Sequence, residues 1–442
     1  MVEDLCERAL ALVGGRGEAV VTASRGQAAL TRFANGYIHQ NVTESVVDVR
    51  ITVAAGGRVA RSSTNRTDDE GLAAAVERAL AAAALRPADP AFPGFAPPAE
   101  VPGVDHRDAA TAEATPADRA EVVAAFVAAG GGTGGAGPGA AGYCATRWRC
   151  RALLATTGQR ATTRSTVARL DGVRRVGTSD GLGHATSTAL ATIDGRACGE
   201  GAVARARAGV GPVELPPGTY EVVLEPRAVA AVLQFPAMGF GGKARAEGTS
   251  FVRLGRAQWD AAVDIWDDAT DARALGDPFD AEGTPKRRLD LVREGVSVGL
   301  AHDRRSAARA GVAPTGHAVG SDVVGGRPTD LFMGGGDRPP GDLVGDVDRG
   351  LLVADLWYNR ILDPRTQVVT GVTRNGLFLI EEGRLAAPVQ DLRFTQSVVE
   401  AFGPGRVLGL GDDARLVGGE GAAAHVPSVH LAGWAFTGNA RG

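Results

Sequence analysis

The side chains that could do chemistry are densest in one acidic stretch near the middle of the chain. Its members are Asp264, Asp267, Asp268, Asp271, Asp277, Asp280 and Glu282. Carboxylate oxygens are the ligands that calcium and magnesium prefer, but the spacing here does not match the D-x-[DN]-x-[DN]-G calcium loop. Acidic turns more often face water, so we interpret the stretch as a solvated surface and predict no metal site there.

Two further patterns match known sites in spacing only. His425 and His430 stand five residues apart, as in an H-E-x-x-x-H zinc helix, but Pro427 lies between them and no glutamate follows His425. Residues 132–137 satisfy G-x-G-x-x-G, yet a predicted helix precedes them and a predicted strand begins at Tyr143, the reverse of a dinucleotide site. We interpret the glycines as a loop. The residues alone therefore define no self-contained catalytic group.

Length and charge limit the classes of function. The 442 residues carry a formal net charge of −4, and lysine occurs only at Lys243 and Lys286. At roughly 150 residues per domain, this length predicts two or three domains. A negative chain lacks a general attraction for phosphate backbones, so we expect no nucleic-acid partner. The excess of arginine over lysine is typical of a GC-rich coding bias and by itself marks no site.

The start of the chain and its cysteines indicate a cytoplasmic protein. Residues 1–13 mix four charged side chains with apolar ones, unlike a signal peptide, and no apolar run of about 18 residues follows. The four cysteines, of which Cys198 is the last, are too few for a disulfide framework. We therefore expect reduced thiols, no membrane span and a location in the cytoplasm.

The first part of the chain has the pattern of helices around an antiparallel sheet. Apolar spacing predicts a helix over residues 2–13, and a capping box of Thr67 and Glu70 begins a second helix that Pro87 ends. Alternating apolar and polar residues predict short strands between these helices. They are 18–24, 28–33, 38–42, 46–54 and 58–62. This order predicts an α+β fold.

Proline and glycine suggest where domains meet. Six prolines between residues 87 and 102 indicate an extended segment, because such a chain can neither form a helix nor pair as a strand. We predict an N-terminal α+β domain over residues 1–215, within which a further boundary could fall near 87–105. A sheet-rich C-terminal domain is predicted over residues 216–442.

Two local signals stand out in the second half. Residues 226–233 have the pattern of a helix start, with proline in the tolerated first turn. Asn375-Gly376 is a strong hairpin signal between the apolar runs 366–371 and 377–380, so we predict that these runs pair with each other.

Short segments that occur in a fixed order resemble a known family. They are residues 32–41 (RFANGYIHQN), 217–226 (PGTYEVVLEP), 248–250 (GTS), Asp267-Asp268, 279–285 (FDAEGTP), 376–383 (GLFLIEEG), Pro427-Ser428 and 431–433 (LAG). Together they span nearly the whole chain and resemble the TldD/PmbA family, whose PmbA branch is also called TldE. The family has been described as modulators of DNA gyrase and is regarded as a two-subunit metallopeptidase.

The resemblance also points to one branch of the family. In the catalytic TldD branch an H-E-x-x-x-H helix follows the "VVL-x-P" strand, and a C-terminal cysteine completes the zinc site. The corresponding positions here are Gln234, Phe235 and Gly239, with Pro236 between them, and no cysteine follows Cys198. These residues offer no zinc ligand and no general base. The resemblance thus implies the TldE/PmbA branch, without catalytic residues or a metal site of its own.

For such a subunit, the resemblance implies a TldD-like zinc metallopeptidase partner that carries the zinc. It also implies a shared cleft that takes an unfolded or modified peptide as substrate, bound as an added strand. Two alternatives stay open, namely a biosynthetic enzyme on the same scaffold and a regulatory binding module. The first would gain support from a small molecule bound near Asp280, Glu282 or His302, and the second from salt-dependent DNA binding. The sequence does not locate the substrate pocket.

Overall fold

The computed structural model describes residues 1–129, 139–418 and 423–440. The glycine-rich pattern at 132–137, predicted to be a loop, lies outside these described residues. No described helix combines the length and the apolar character that crossing a membrane requires.

The first sheet is built from six long strands of the described chain. They are β1 (Glu18–Ala34), β2 (Tyr37–Ala55), β3 (Arg58–Thr64), β4 (Gly139–Ala155), β5 (Arg160–Val176) and β6 (Ser179–Ser187). Their order is β3-β2-β1-β4-β5-β6, with every neighbouring pair antiparallel. Asn35 and Gly36 make the β1–β2 turn with positive φ angles of 51° and 78°.

The structure joins the predicted short strands into longer ones. The first two predicted strands form β1 and the next two form β2, and the pairing runs through Gly26, which lies opposite Val46. A Cβ at Gly26 would lie 2.6 Å from the Trp148 carbonyl oxygen. The glycine therefore permits a close approach of two backbones instead of ending a strand.

Helices cover one face of this sheet. They are α1 (Val2–Val13), α2 (Asp69–Leu85), α3 (Ala109–Ala112), α4 (Pro116–Ala128) and α5 (Gly195–Ala208), with a short 3-10 helix at Leu190–Thr192. Val21, Ile51 and Leu72 are fully buried where α1 and α2 pack on the sheet. Side chains alternate across a strand, so Val20 and Arg50 point to the opposite face.

Two further sheets come from the second half of the chain. The strands of one are β8 (Ile265–Asp267), β9 (Leu289–Arg293), β10 (Val296–Ser297), β11 (Asp330–Met333), β19 (Arg415–Val417) and β20 (Ala423–Val426), in the order β10-β9-β8-β11-β20-β19. Those of the other are β7 (Gly218–Leu224), β12 (Arg349–Val353), β13 (Leu356–Asp363), β14 (Val368–Thr373), β15 (Leu377–Glu381), β16 (Arg384–Pro388), β17 (Leu392–Ser397), β18 (Val407–Leu410) and β21 (Val429–Asn439). The path of this third sheet is β13-β14-β17-β21-β7-β12-β15-β16, and β18 pairs with β21.

The helices of this half are short, apart from the one that follows β7. They are α6 (Pro226–Gly239), α7 (Gly242–Ala246), α8 (Arg304–Ala310), α9 (Pro340–Gly345) and α10 (Val398–Ala401). One buried apolar cluster joins the two sheets and includes Val222, Trp259, Phe394 and Trp434. The second half is thus rich in sheet, and the predicted α+β fold class is confirmed.

The predicted hairpin through Asn375-Gly376 is wrong. β14 pairs with β13 and β17, whereas β15 pairs with β12 and β16. The chain instead forms one long two-stranded ribbon, in which β12 and β13 make one arm, β14 and β15 make the other, and the turn lies between β13 and β14. Asn375 and Gly376, with φ angles of 57° and 144°, bend the second arm between β14 and β15. Asn-Gly thus adopts the positive φ angles that its residue types favour, but these angles produce a bend within the ribbon and not a hairpin turn.

A steric prediction follows from the packing of helices on the first sheet. A Cβ at Gly172 in β5 would lie 2.4 Å from Cζ of Phe126, which is fully buried. We expect Gly172→Ala to lower the free energy of unfolding by on the order of 2 kcal/mol, because the ring has no space to move. Chemical denaturation measures this loss. The control is Gly201→Ala in α5, where nothing lies within 4 Å, and it should be neutral or slightly stabilising. Equal stability of the two variants would contradict the packing.

Candidate functional site

A cleft of about 510 Å³ separates the uncovered face of the first sheet from loops of the second half. Alternate residues of β1 and β2 form part of its floor, among them Thr22, Ser24 and Thr52. Phe279 packs on Leu153 at one side of the cleft and so closes the space between the two halves. The site is therefore made by both halves of the chain.

Arginines dominate the sheet side of this cleft. We call this set the arginine face, and it consists of Arg50, Arg61, Arg147, Arg149 and Arg151. Arg147, Arg149 and Arg151 are alternate residues of β4 and so point to one side of the sheet. Desolvation and the neighbouring Arg149 both lower the pKa of Arg147. The guanidiniums thus repel one another across the floor of the cleft, and the nearby carboxylate of Asp277 offsets part of that repulsion.

Asp277 ties the arginine face to the second half. Its Oδ1 accepts a hydrogen bond from Nη2 of Arg149 at 2.7 Å, and its Oδ2 accepts one from Nη1 of Arg151 at 2.8 Å. Burial by itself raises the pKa of Asp277, but the two guanidiniums outweigh it and hold the pKa below its ordinary range. Arg151 also donates to the backbone oxygen of Asp280 at 3.1 Å and lies 4.8 Å from the centre of the Phe279 ring.

The opposite side of the cleft contains a buried lysine. Nζ of Lys286 lies 2.7 Å from Oγ1 of Thr329 and 3.2 Å from Oδ2 of Asp330. Behind it, Oδ1 of Asp267 lies 3.7 Å from the same Nζ and 2.9 Å from Nε2 of His317. Burial raises the pKa of Asp267, but Lys286 and His317 together bring it below its usual value. This cluster fixes the loops that face the arginines.

The interpretation of the acidic stretch as a solvated surface is wrong at three positions. Asp267 and Asp280 are buried, and only 9% of the Asp277 side chain is exposed. Oδ1 of Asp280 accepts hydrogen bonds from the backbone N–H groups of Glu282 and Thr284, at 2.8 and 2.9 Å. Its Oδ2 accepts one from Ala318 at 3.0 Å. These carboxylates hold loops and arginines in place.

A second chamber of about 410 Å³ adjoins the cleft under the proline-rich segment. Phe92, Phe95 and Arg305 line it, and Arg305 Nη1 lies 3.1 Å from Oδ1 of Asp89. Glu282 also lines the chamber, and its Oε2 accepts a hydrogen bond from the backbone N–H of Arg304 at 2.8 Å. Burial, reinforced by the nearby carboxylate of Asp280, raises the pKa of Glu282 to about 7. This glutamate can therefore exchange a proton near neutral pH.

The positions expected to replace a zinc motif lie at the end of α6. The Gln234 side chain is exposed, and its Nε2 donates to the Ala231 backbone oxygen at 2.9 Å. Phe235 is 9% exposed in the core. A Cβ at Gly239 would lie 2.5 Å from Cε1 of Phe251, so an imidazole has no space there. α6 continues through Pro236.

The two histidines that stand five residues apart make different contacts in the structure. His425, in β20, stacks on Phe332 with 5.5 Å between the ring centres. His430, in β21, is buried, and its Nε2 lies 2.7 Å from Oε1 of Glu221. Within residues 1–129, 139–418 and 423–440, no three or more His, Cys, Asp or Glu side chains are grouped so as to hold a metal ion. The zinc that the resemblance implies does not fit the residues of the α6 window.

Solved structures share this fold over nearly the full chain. TldE from Thermococcus kodakarensis has a TM-score of 0.86 and 18% identity, covering 99% of both chains. A proposed modulator of a DNA gyrase from Thermotoga maritima has a TM-score of 0.86 and 17% identity, covering 99% of this chain and 100% of that one. A further proposed gyrase modulator, from Bacteroides thetaiotaomicron, has a TM-score of 0.85 and 20% identity, covering 99% and 98%. At this identity the likeness shows the architecture alone.

Family models give the assignment. The PmbA/TldA metallopeptidase C-terminal domain matches residues 217–438, and PmbA/TldA metallopeptidase domain 1 matches residues 19–83. The first match alone covers half of the chain. The chain therefore belongs to the PmbA/TldA metallopeptidase family, which is the TldD/PmbA family of the resemblance above.

Curated relatives match over a shorter length. A metalloprotease from Methanothermobacter thermautotrophicus is 26% identical over 209 residues, which is 46% of this chain and 44% of that protein. A metalloprotease from Synechocystis is 27% identical over 203 residues, which is 42% of this chain and 41% of that protein. The matched region thus spans less than half the length of these relatives.

The arginine face was missed from the sequence, although a signal for it was present. Residues 147–151 read Arg-Trp-Arg-Cys-Arg, and three arginines at alternate positions of a strand must share one side of a sheet. The interpretation of the arginine content as a coding bias overlooks this alternation. The identity of the opposing loops, 275–281 and 318–320, depends on long-range packing and leaves no local pattern.

The buried ion pairs of Asp277 with Arg149 and Arg151 lead to a prediction about stability. We expect Asp277→Asn to lower the free energy of unfolding by on the order of 3 kcal/mol, because Arg149 and Arg151 would lose their shared carboxylate in a poorly solvated site. Urea denaturation measures the difference. Asp271→Asn is the control, since Asp271 pairs with the more exposed Arg273 and should cost less than about 1 kcal/mol. Similar losses in both variants would contradict a special role for Asp277.

The raised pKa of Glu282 predicts a dependence of stability on pH. A carboxyl that binds its proton more tightly in the folded state destabilises the fold as pH rises from its unfolded pKa through its folded pKa. We therefore expect Glu282→Gln to gain on the order of 2 kcal/mol relative to the parent chain between about pH 5 and about pH 8. Denaturation curves recorded across this pH range measure the difference. Glu200→Gln, at an exposed position of α5, is the control. A constant difference between Glu282→Gln and the parent chain would disprove the shift.

Proposed function

We propose that this chain is a TldE/PmbA-like subunit, without a metal site of its own, of a heterodimeric zinc metallopeptidase. Its partner is a TldD-like subunit that holds the zinc, and the pair cleaves unfolded or modified peptides. Membership of the metallopeptidase family supports the general activity. The fold shared with TldE from Thermococcus kodakarensis is consistent with this branch.

The observation that carries the proposal is the use of α6 for packing. Its position after β7 corresponds to the zinc helix of the TldD branch, but Phe235 is in the core and Gly239 lies against Phe251. A ligand histidine at Gly239 would require Phe251 to move. Gln234 bonds to its own helix and would contribute at most a weak amide ligand.

In this proposal the chain supplies walls of a shared peptide cleft. The 510 Å³ cleft and its neighbouring chamber are each large enough to hold several residues of a peptide. A cytoplasmic location is part of the same proposal. It is supported by Cys6, Cys144, Cys150 and Cys198, which are all free thiols, as expected in a reducing compartment.

The test is metal content and peptidase activity of the purified chain, alone and after mixing with a TldD-like protein from the same genome. We expect a stable complex with about one zinc per pair, and activity on an unfolded peptide only in the mixture. Replacing the first histidine of the partner's H-E-x-x-x-H motif by alanine should abolish both zinc and activity. Gln234→Ala in this chain is the matched variant and should change neither.

Either of two results would overturn the proposal. One is stoichiometric zinc with activity in the chain alone, and the other is the absence of any complex with the TldD-like protein. A loss of zinc from the complex on Gln234→Ala would specifically refute the assignment of α6 as a helix used for packing.

A further inference from the structure

We propose that the chamber beside the cleft binds a protonated amino group of a peptide, held by the Glu282 carboxyl. A lysine side chain and the N-terminus of a peptide both carry such a group. The choice of a peptide as ligand rests on the proposed function, which it deepens by naming the chemical group that this subunit selects. The recognition of a cation rests on the chamber itself.

One carboxyl oxygen of Glu282 is available to a ligand. Its Oε2 accepts a hydrogen bond from the backbone N–H of Arg304 at 2.8 Å, whereas its Oε1 has no hydrogen-bond or ion-pair partner among the described residues. Glu282 lines the chamber, from which a ligand can approach this oxygen. A poorly solvated carboxylate oxygen without a donor is costly, so an N–H donor from a ligand would be bound favourably.

The charges around Glu282 favour a cation. Burial is the largest cause of the raised pKa of Glu282, and the neighbouring carboxylates of Asp280 and Asp303 raise the pKa further. Their combined effect exceeds that of the Arg304 guanidinium, which lowers the pKa. An ammonium group beside Glu282 would therefore be attracted by three carboxyl groups, and an anion would be repelled by them.

The arginines that line the chamber are engaged in holding its walls. Arg305 pairs with Asp89 through two hydrogen bonds, at 3.1 and 2.5 Å. Arg304 donates to two backbone oxygens of the proline-rich segment, at 3.1 and 3.4 Å. Arg61 and Arg86 each donate to a backbone carbonyl oxygen at 3.1 Å. None of these contacts involves the side chain of Glu282, so its free oxygen stays accessible from the chamber.

An aromatic wall suits the carbon chain that carries an ammonium group. The rings of Phe92 and Phe95 meet edge to face with 5.1 Å between their centres, and both side chains are half-buried where they line the chamber. Aromatic faces attract cations, and they also pack well against the methylene groups of a lysine. A single alkylammonium side chain can thus use both the wall and the carboxyl.

The chamber is continuous with the cleft proposed to hold the peptide. Four residues line both spaces, namely Val20, Thr52, Arg61 and Ala281. A peptide that lies in the cleft can therefore place one side chain, or its first residue, in the chamber.

The effect of Glu282 on stability also indicates a role in binding. Its raised pKa means that its ionised form destabilises the fold, so glutamine would serve folding better at neutral pH. Carboxyl groups with raised pKa values in cavities are typical of binding and catalytic sites.

The experiment measures binding to the full chain by fluorescence anisotropy at pH 8. The first peptide has an acetylated N-terminus and one lysine among alanines and serines, with the fluorophore at its C-terminus. The second has acetyl-lysine in place of lysine, and the third has acetyl-lysine and a free N-terminus. We expect at least one ammonium-bearing peptide to bind about tenfold more tightly than the fully acetylated one. The tighter of the two identifies the source of the ammonium group.

The affinity should also depend on pH in one direction. Lysine stays protonated between pH 6 and pH 8, whereas Glu282, with a pKa of about 7, ionises across this range. We therefore expect the affinity for the lysine peptide to rise about tenfold from pH 6 to pH 8. Glu282→Gln should remove this dependence, which separates Glu282 from the other charged groups. Those groups are Arg61, Arg86, Asp89, Asp280, Asp303, Arg304, Arg305 and Asp322.

Variants assign the binding to the chamber. Glu282→Gln should weaken binding of the tighter ammonium peptide about tenfold at pH 8, and Phe92→Leu about threefold. The matched control is Asp322→Asn, which removes an exposed carboxylate that lines the same chamber and should change the affinity less than about twofold. Circular dichroism verifies that each variant is folded.

Three results would overturn the inference. They are equal affinity for all three peptides, equal effects of Glu282→Gln and Asp322→Asn, and an affinity that falls from pH 6 to pH 8. The last would show that protonated Glu282 donates to a carbonyl group of the ligand. Because binding is measured on the chain alone, its failure is distinguishable from failure to form a zinc complex with the TldD-like partner.

Discussion

The buried carboxylate of Asp277 is the interaction on which the shape of the site depends. It lies between two arginines of the first sheet and belongs to a loop of the second half, so it fastens the halves together across the cleft. Neither side tolerates its loss easily, because both guanidiniums and the carboxylate are largely removed from water. The face that α1, α2, α4 and α5 leave uncovered is thereby kept at a fixed distance from the loops around Lys286 and Asp330.

The local elements could largely be read from the sequence. Alternation and turn residues predicted the first two helices and the antiparallel strands of the first sheet, because these signals act within a few residues. The cap of α2 is Asp68 and not the expected Thr67. The same local signals do not determine which distant strands pair. Asn375-Gly376 has the expected left-handed backbone, yet its flanking strands pair elsewhere. The acidic stretch appeared solvated because its partners, Arg149, Arg151 and Lys286, come from distant strands and loops.

The sequence likewise located one part of the candidate site, the α6 window, but not the other, the arginine face. The α6 window was located by the sequence resemblance, and the structure shows that Phe235 is buried there and that Gly239 lies against Phe251. Pro236 does not interrupt α6, although proline cannot donate the usual backbone bond. The arginine face needed the fold, because only the pairing of β1, β2 and β4 places Arg50 and Arg149 on one floor.

In the proposed function, the residues of the α6 window serve packing, and the cleft holds substrate for chemistry done by the partner chain. The most direct test is to crystallise the complex with the TldD-like partner and record anomalous diffraction at the zinc absorption edge. We predict a zinc peak on the partner's histidine helix and none on this chain. A zinc peak at the end of α6, or at His425 or His430, would contradict the account.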